Sequence, residues 1–354
     1  METRNSTLDI AKGIAIIAIV FGHVWRGLHS AGLLSGDEAL YASLDRTIYM
    51  FHLTVFAFVA GLFLQRGMQR DGARKYAERR VLSFLWLYVL WTLISGVVKL
   101  ATDSLVNSPT EVTTILQLWI PTAQYWFFGW ITVMIIGVAL LRPWQSTVRW
   151  YSTIAISAAL GVATWGGLGG SVFGTQGLAL TPYLALGVLL GSKRTLKLLE
   201  ASRVPLVFVL TASIAIMVLL AWNELATPPT TSPLGESRTV VSVLLGIGAS
   251  TMGLVGVLTL SKLLSGVPAV DKCLAYCGAR SMEIFVAHTI FQAGSRIILS
   301  QLGVDSIIVH GLIGTTAGVV FPLLLAWLAY RFRVNWVFHT PRRLENIVLL
   351  ERAR

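Results

Sequence analysis

Long apolar blocks separated by short polar gaps run along almost the whole chain. Ten blocks are long enough to cross a bilayer once tilt and kinks are allowed for. They lie at 8–28, 44–65, 80–101, 121–141, 150–166, 176–192, 204–222, 238–262, 281–302 and 306–330. The pattern predicts an all-α integral membrane protein of about ten transmembrane helices. The longest polar stretches are about fifteen residues, too short for a soluble domain, so residues 1–354 read as a single membrane domain. The first block does not read as a cleavable signal peptide, because it is long, carries Lys12 and His23, and lacks a small-residue cleavage pattern.

The gaps alternate in charge. The 66–80 gap holds Arg66, Arg70, Arg74, Lys75, Arg79 and Arg80, and the 142–149, 193–203 and 262–280 gaps and the tail are basic too. The intervening gaps carry Asp37, Glu38, Asp103, Glu111, Glu224, Glu236 and Asp305 with few basic residues. By the positive-inside rule both termini are cytoplasmic, in a multi-pass protein of the inner or plasma membrane. Composition agrees, with 55% hydrophobic and 13% charged residues, the latter about half the share of a soluble domain. An ordinary cytosolic enzyme is thereby excluded. The net charge of +11 would suggest nucleic acid if it lay on one solvated face. Instead, 22 of the 28 basic residues lie in the N-terminal segment, the cytoplasmic gaps and the tail, where they set topology. Arg26 and Lys99 lie near span ends and are expected to snorkel outward. Cys273 and Cys277 have no third ligand nearby and read as reduced, inert thiols with no metal. Gly187 and Gly191, and Gly246, Gly248, Gly253 and Gly256, read as close helix packing. The glycines of 166–177 read as a turn or a re-entrant segment.

Ionisable groups inside the spans are costly and are the first functional candidates. Lys12 and His23 are eleven residues apart, which puts them within about 20° of one helix face and about 16 Å apart in height. Asp9, one turn before Lys12, can pair with it. Span two begins with Asp45 and Arg46 and carries His52, at a depth similar to that of His23. Span nine carries Glu283, His288, Gln292 and Arg296, the last three recurring every four residues. Against each stands a plainer role: a hydrogen-bonded packing histidine for His52, a structural ion pair for Arg296. Trp126 and its aromatic neighbours can anchor at the interface or line a site.

Several of these stretches resemble the membrane acyltransferase 3 family, which includes sugar O-acetylases of bacterial envelopes. Arg4 to Gly13, running on to Phe21-Gly22-His23, is similar to its opening, with a basic residue, ten positions and a His. Met50 to Gly61 resembles its second-span motif, with Ala60 where Ser is common, and Tyr76 to Trp91 its third-span entry. Gly278 to His288 resembles its late Gly-x-x-Ser…His segment. The resemblance implies transfer of an acetyl or other short acyl group from cytoplasmic acetyl-CoA to a hydroxyl of an extracytoplasmic envelope glycan or glycolipid. His23 would then be base or acyl carrier, with Lys12 and Asp9 below it on the same helix as further catalytic candidates and Lys12 or Arg296 stabilising negative charge. Asp45, Arg46, His52, Trp126, Glu283, His288 and Arg296 are the candidate lining. Arg66, Arg70, Arg74, Arg79 and Arg80 would receive the acyl-CoA phosphates, or serve only topology and anionic lipid. The family's Arg-x-x-Arg pair has no match here; the arginines are spaced Arg-x-x-x-Arg. The threefold excess of Arg over Lys suggests a GC-rich, actinobacterial genome, which makes a mycolylated trehalose one candidate acceptor. The competing class is a transporter or exporter of a glycan or lipid, although the two halves show no convincing internal repeat.

Overall fold

A computed structural model describes residues 6–102, 111–167, 172–230 and 238–350. Arg4, Asn5, Asp103, Gly169, Gly170, Glu236, Arg352 and Arg354 lie outside the described residues. The described chain is helical, without a strand. Its helices are α1 Thr7–Ser30, α2 Glu38–Asp71, α3 Ala73–Ala101, α4 Val112–Leu116, α5 Trp126–Leu141, α6 Thr147–Thr164 and α7 Thr181–Leu198. There follow α8 Arg203–Trp222, α9 Val240–Leu264, α10 Pro268–Ala279, α11 Ser281–Gln301, α12 Ile307–Arg331 and α13 Arg342–Leu350.

Seven helices in the described residues are long and apolar enough to cross a membrane: α1, α2, α3, the segment Ala123–Gln145 that contains α5, α8, α9 and α12. The other three expected spans coincide with α6, α7 and α11, which are helical but fall outside that measure. Large apolar side chains such as Val97, Leu140, Phe208, Leu312 and Trp327 face outward, as helices solvated by lipid tails require.

Three features depart from the sequence reading. The 66–80 gap is not a loop: α2 runs on to Asp71, Gly72 turns the chain at φ +85°, and α3 starts at Ala73. Arg, Lys, Gln and Glu are good helix formers, so only the glycine breaks the helix there. The 262–280 gap contains α10, opened by Pro268 at its first turn. The tail contains α13. Both are too short to register as spans.

The chain divides into two compact units. The first comprises Met1–Phe63, Ile154–Gly167 and Ala179–Ser281. Within it α1 packs against α9 and α10, and α8 against α9. A Cβ on Gly61 would lie 2.1 Å from the Leu184 carbonyl oxygen, and one on Gly187 2.1 Å from that of Phe58, so α2 and α7 meet backbone to backbone. Gly191 does something else: it has no neighbour within 4 Å and kinks α7 at φ +68°. The second unit comprises Leu64–Thr153, Leu168–Leu178 and Met282–Arg354. There α3 packs against α5, and Trp86 and Trp91 donate to the carbonyls of Trp336 and Val337 at 2.8 Å each.

On α10, Cys273 is exposed and Cys277 buried, and burial pushes the Cys277 thiol up to about 11. The thiolate is the reactive form, so Cys277 is doubly protected. A membrane-impermeant maleimide should therefore label Cys273 alone, and only after the cells are permeabilised. Labelling of Cys273 in intact cells would reverse the expected orientation.

Candidate functional site

In the first unit α1 and α2 form an antiparallel pair joined by the turn at 31–37, and their polar groups meet rung by rung. His29 Nε2 lies 3.0 Å from Glu38 Oε2, and its ring stacks on Tyr41 at 3.8 Å. Trp25 Nε1 donates to the Tyr41 carbonyl at 3.1 Å. One step deeper, Arg26 Nε and Nη2 donate to the two carboxylate oxygens of Asp45 at 2.6 and 2.9 Å. The guanidinium carbon lies 3.3 Å from the centre of the Tyr49 ring. His52 meets the edge of the same ring at 4.6 Å. Residues 22, 25, 26 and 29 of α1 and 38, 41, 45, 49 and 52 of α2 are spaced by one, three or four, which gathers each set on one helix face.

His23 is half-buried on α1, three residues before Arg26 and so about 60° round the helix and about 4.5 Å away in height. Asp45 is only 1% exposed. His52 is buried with Nδ1 on the Ile48 carbonyl. A carbonyl only accepts, so Nδ1 carries the hydrogen and a neutral ring keeps its lone pair on Nε2.

The remaining candidates of this unit are elsewhere. Lys12 Nζ is 2.8 Å from Asp9 Oδ1, three turns below His23. A Cβ on Gly278 of α10 would lie 1.8 Å from the Asp9 carbonyl oxygen, so α10 closes against this lower end of α1. Arg46 points away from Asp45: Nη1 donates to the Ala221 carbonyl at 2.8 Å and Nη2 lies 3.5 Å from Glu224. Ala221 is in the last turn of α8, whose carbonyls have no partner within the helix. Arg46 therefore caps α8.

The second unit holds the other candidates. Glu283 is buried and accepts a hydrogen bond from the Tyr330 hydroxyl at 2.9 Å. His288 is fully buried, its Nδ1 2.8 Å from the Phe285 carbonyl. Arg296 and Trp126 are half-buried. The Tyr125 hydroxyl donates to the Val286 carbonyl at 2.8 Å, and Gln124 Nε2 to Thr289 Oγ1 at 3.0 Å, so the turn before α5 is fixed to α11. Arg66, Arg70, Arg74, Arg79 and Arg80 are all exposed at the facing ends of α2 and α3. Two of them are in ion pairs, Arg70 with Asp71 at 2.7 Å and Arg74 with Glu78 at 2.8 Å, and Arg80 lies over the Tyr76 ring at 5.5 Å. Among the described residues no three His, Cys, Asp or Glu gather as a metal site.

A family model described as an acyltransferase domain matches residues 5–331, from the start of α1 to the end of α12. The chain belongs to the acyltransferase 3 family. It is similar to the nodulation protein NolL of Mesorhizobium japonicum, with 27% identity over 170 residues, 45% of this chain and 42% of that protein. The chain thus matches less than half the length of this curated relative. No solved structure matches it.

In this acyltransferase 3 family chain every candidate falls inside the matched range, and the structure adds Arg26 and Tyr49, which meet Asp45 and His52 on the α1–α2 seam. Arg26 does not snorkel; it turns inward to Asp45, because an enclosed carboxylate needs a partner more than a guanidinium at a span end needs water. The signal in the sequence was the three-residue spacing His23, Arg26, His29 opposite the four-residue spacing Asp45, Tyr49. The cap on α8 can be tested alone. Arg46→Met should cost about 1 kcal/mol, because it leaves the Ala221 carbonyl only the 3.4 Å bond from the Glu224 N–H, read as a lower melting midpoint in detergent. An unchanged midpoint would remove the capping role.

Proposed function

We propose that this protein is a membrane O-acyltransferase that moves an acetyl or other short acyl group from cytoplasmic acetyl-CoA to a hydroxyl on the far side of the membrane. The observation that carries this reading is the acyltransferase match over residues 5–331. The acceptor is an envelope glycan or glycolipid, for which a mycolylated trehalose is one candidate, and the setting is the inner or plasma membrane.

Acyl transfer from a thioester to an alcohol needs a group that accepts the hydroxyl proton or carries the acyl group. His23 is the imidazole for this step. In the direct route the hydroxyl oxygen attacks the acyl carbon while His23 takes the proton. The thiolate of coenzyme A then leaves and recovers that proton. In the covalent route the imidazole displaces the coenzyme A thiolate to form an acyl-imidazole; the alcohol then attacks the acyl carbon and releases the imidazole, and the hydroxyl proton passes to the thiolate. The exposed Arg66, Arg79 and Arg80 suit the phosphates of the donor, whereas Arg70 and Arg74 already serve Asp71 and Glu78. Lys12, held by Asp9, keeps a fixed charge at the inner end of the same helix face.

His23→Ala should accumulate in membranes at the native level, still show a coenzyme A-dependent rise in melting midpoint, and form no acylated product. Binding stabilises the folded form by mass action, so coenzyme A should raise the midpoint of the native protein as well. Full product formation by the variant would sink the role of His23. A native protein that ignores coenzyme A but is stabilised by a glycan would favour an exporter.

A further inference from the structure

Acyl transfer builds negative charge on the carbonyl oxygen as the tetrahedral intermediate forms, and hydrogen-bond donors fixed beforehand at that oxygen are a major source of rate. The sequence offered Lys12 or Arg296 for this task. Within the first unit the described cations point to a different residue. Lys12 is bonded to Asp9, three turns from His23. Arg46 is committed to Ala221 and Glu224.

Arg26 is one turn from His23. Its guanidinium is held on two sides, along one edge by both oxygens of Asp45 and over one face by the ring of Tyr49. A guanidinium has five N–H groups; Asp45 takes two, and the other three meet no further partner among the described residues. The side chain is 22% exposed, so these donors are not sealed in. Asp45 neutralises the long-range field of Arg26 but fixes where its free N–H groups point.

We propose that Arg26 is a catalytic residue whose free N–H groups hold the oxyanion of the acyl-transfer intermediate beside His23, with Asp45 and Tyr49 as its positioning residues. This rests on the acyl-transfer reading above and names the group that stabilises its charged intermediate. As the new C–O bond forms, the carbonyl π pair moves onto oxygen and is received by Arg26, while the hydroxyl proton goes to His23. Collapse returns the pair to the carbonyl, expels the coenzyme A thiolate, and lets the thiolate recover the proton from His23. Atoms and charge balance without any further reactant.

The decisive variant exchanges the pair, Arg26→Asp with Asp45→Arg. It restores an ion pair between α1 and α2 but moves the guanidinium to the other helix. The expected result is a near-native membrane level and melting midpoint with kcat down about 100-fold and an unchanged KM for the acyl donor. Recovery of both level and turnover would make the pair a fastener only and overturn the proposal. Arg26→Lys keeps the charge and loses the planar fork; it should accumulate normally and lose about 10-fold or more in kcat, and it decides the matter should the exchange not accumulate. Turnover within about twofold of native in Arg26→Lys would also overturn it. Asp45→Asn should lower kcat at constant donor KM, with partial rescue by Asp45→Glu. His23→Ala separates the two levels of the argument. A native protein that forms no ester defeats the acyl-transfer reading itself. An active native protein, an inactive His23→Ala and a fully active Arg26→Lys defeat only the role of Arg26.

Discussion

Asp45 is enclosed to within 1% of its surface, among helices that read as membrane-spanning. An ionised carboxylate cannot persist there without a partner; removing one member of such a pair costs about 3–5 kcal/mol. Arg26 supplies two charge-assisted hydrogen bonds, and this fixes the register of α1 against α2. A slip of one turn would separate the pair and would also undo Trp25 on Tyr41 and His29 on Glu38. The fit of Gly22 against Ile48 and Tyr49 follows the same register. His23 lies between Gly22 and Arg26 on α1, so its height along α2 follows from the same register.

This ordering explains why the adjacent residues Asp45 and Arg46 have opposite fates. Neighbours on a helix point about 100° apart. Asp45 faces α1 and finds Arg26, whereas Arg46 faces α8 and finds the carbonyl of Ala221. Each charge takes the nearest group that offsets its desolvation, and a pairing of Asp45 with Arg46 is not required for either.

Much of this was legible beforehand. The ten apolar blocks coincide with helices, and the shared face of Lys12 and His23 follows from helix geometry alone. What hydropathy did not reveal was local helicity without hydrophobicity. The arginine-rich 66–80 stretch is helical except at Gly72, α10 is a short helix held by its packing on α1, and α13 is a short helix in the tail. The partner of Arg26 was missed for a different reason. Snorkelling is the default for a lone cation at a span end, and only the tertiary approach of Asp45 reverses it. The family resemblance pointed to His23 and Lys12 but not to Arg26, because the Arg26–Asp45 contact joins residues 19 apart through packing and leaves no linear motif.

The acyltransferase match covers the spans of both units, but the chemistry proposed for it rests on a small set of groups on α1 and α2. The most direct measurement gives purified protein in liposomes acyl-labelled coenzyme A on one side and extracted envelope glycolipid on the other. The account predicts that label moves from the thioester to a base-labile ester on the glycolipid, with free coenzyme A released in equal amount. Label that stays on coenzyme A, in protein shown to be folded, would contradict it.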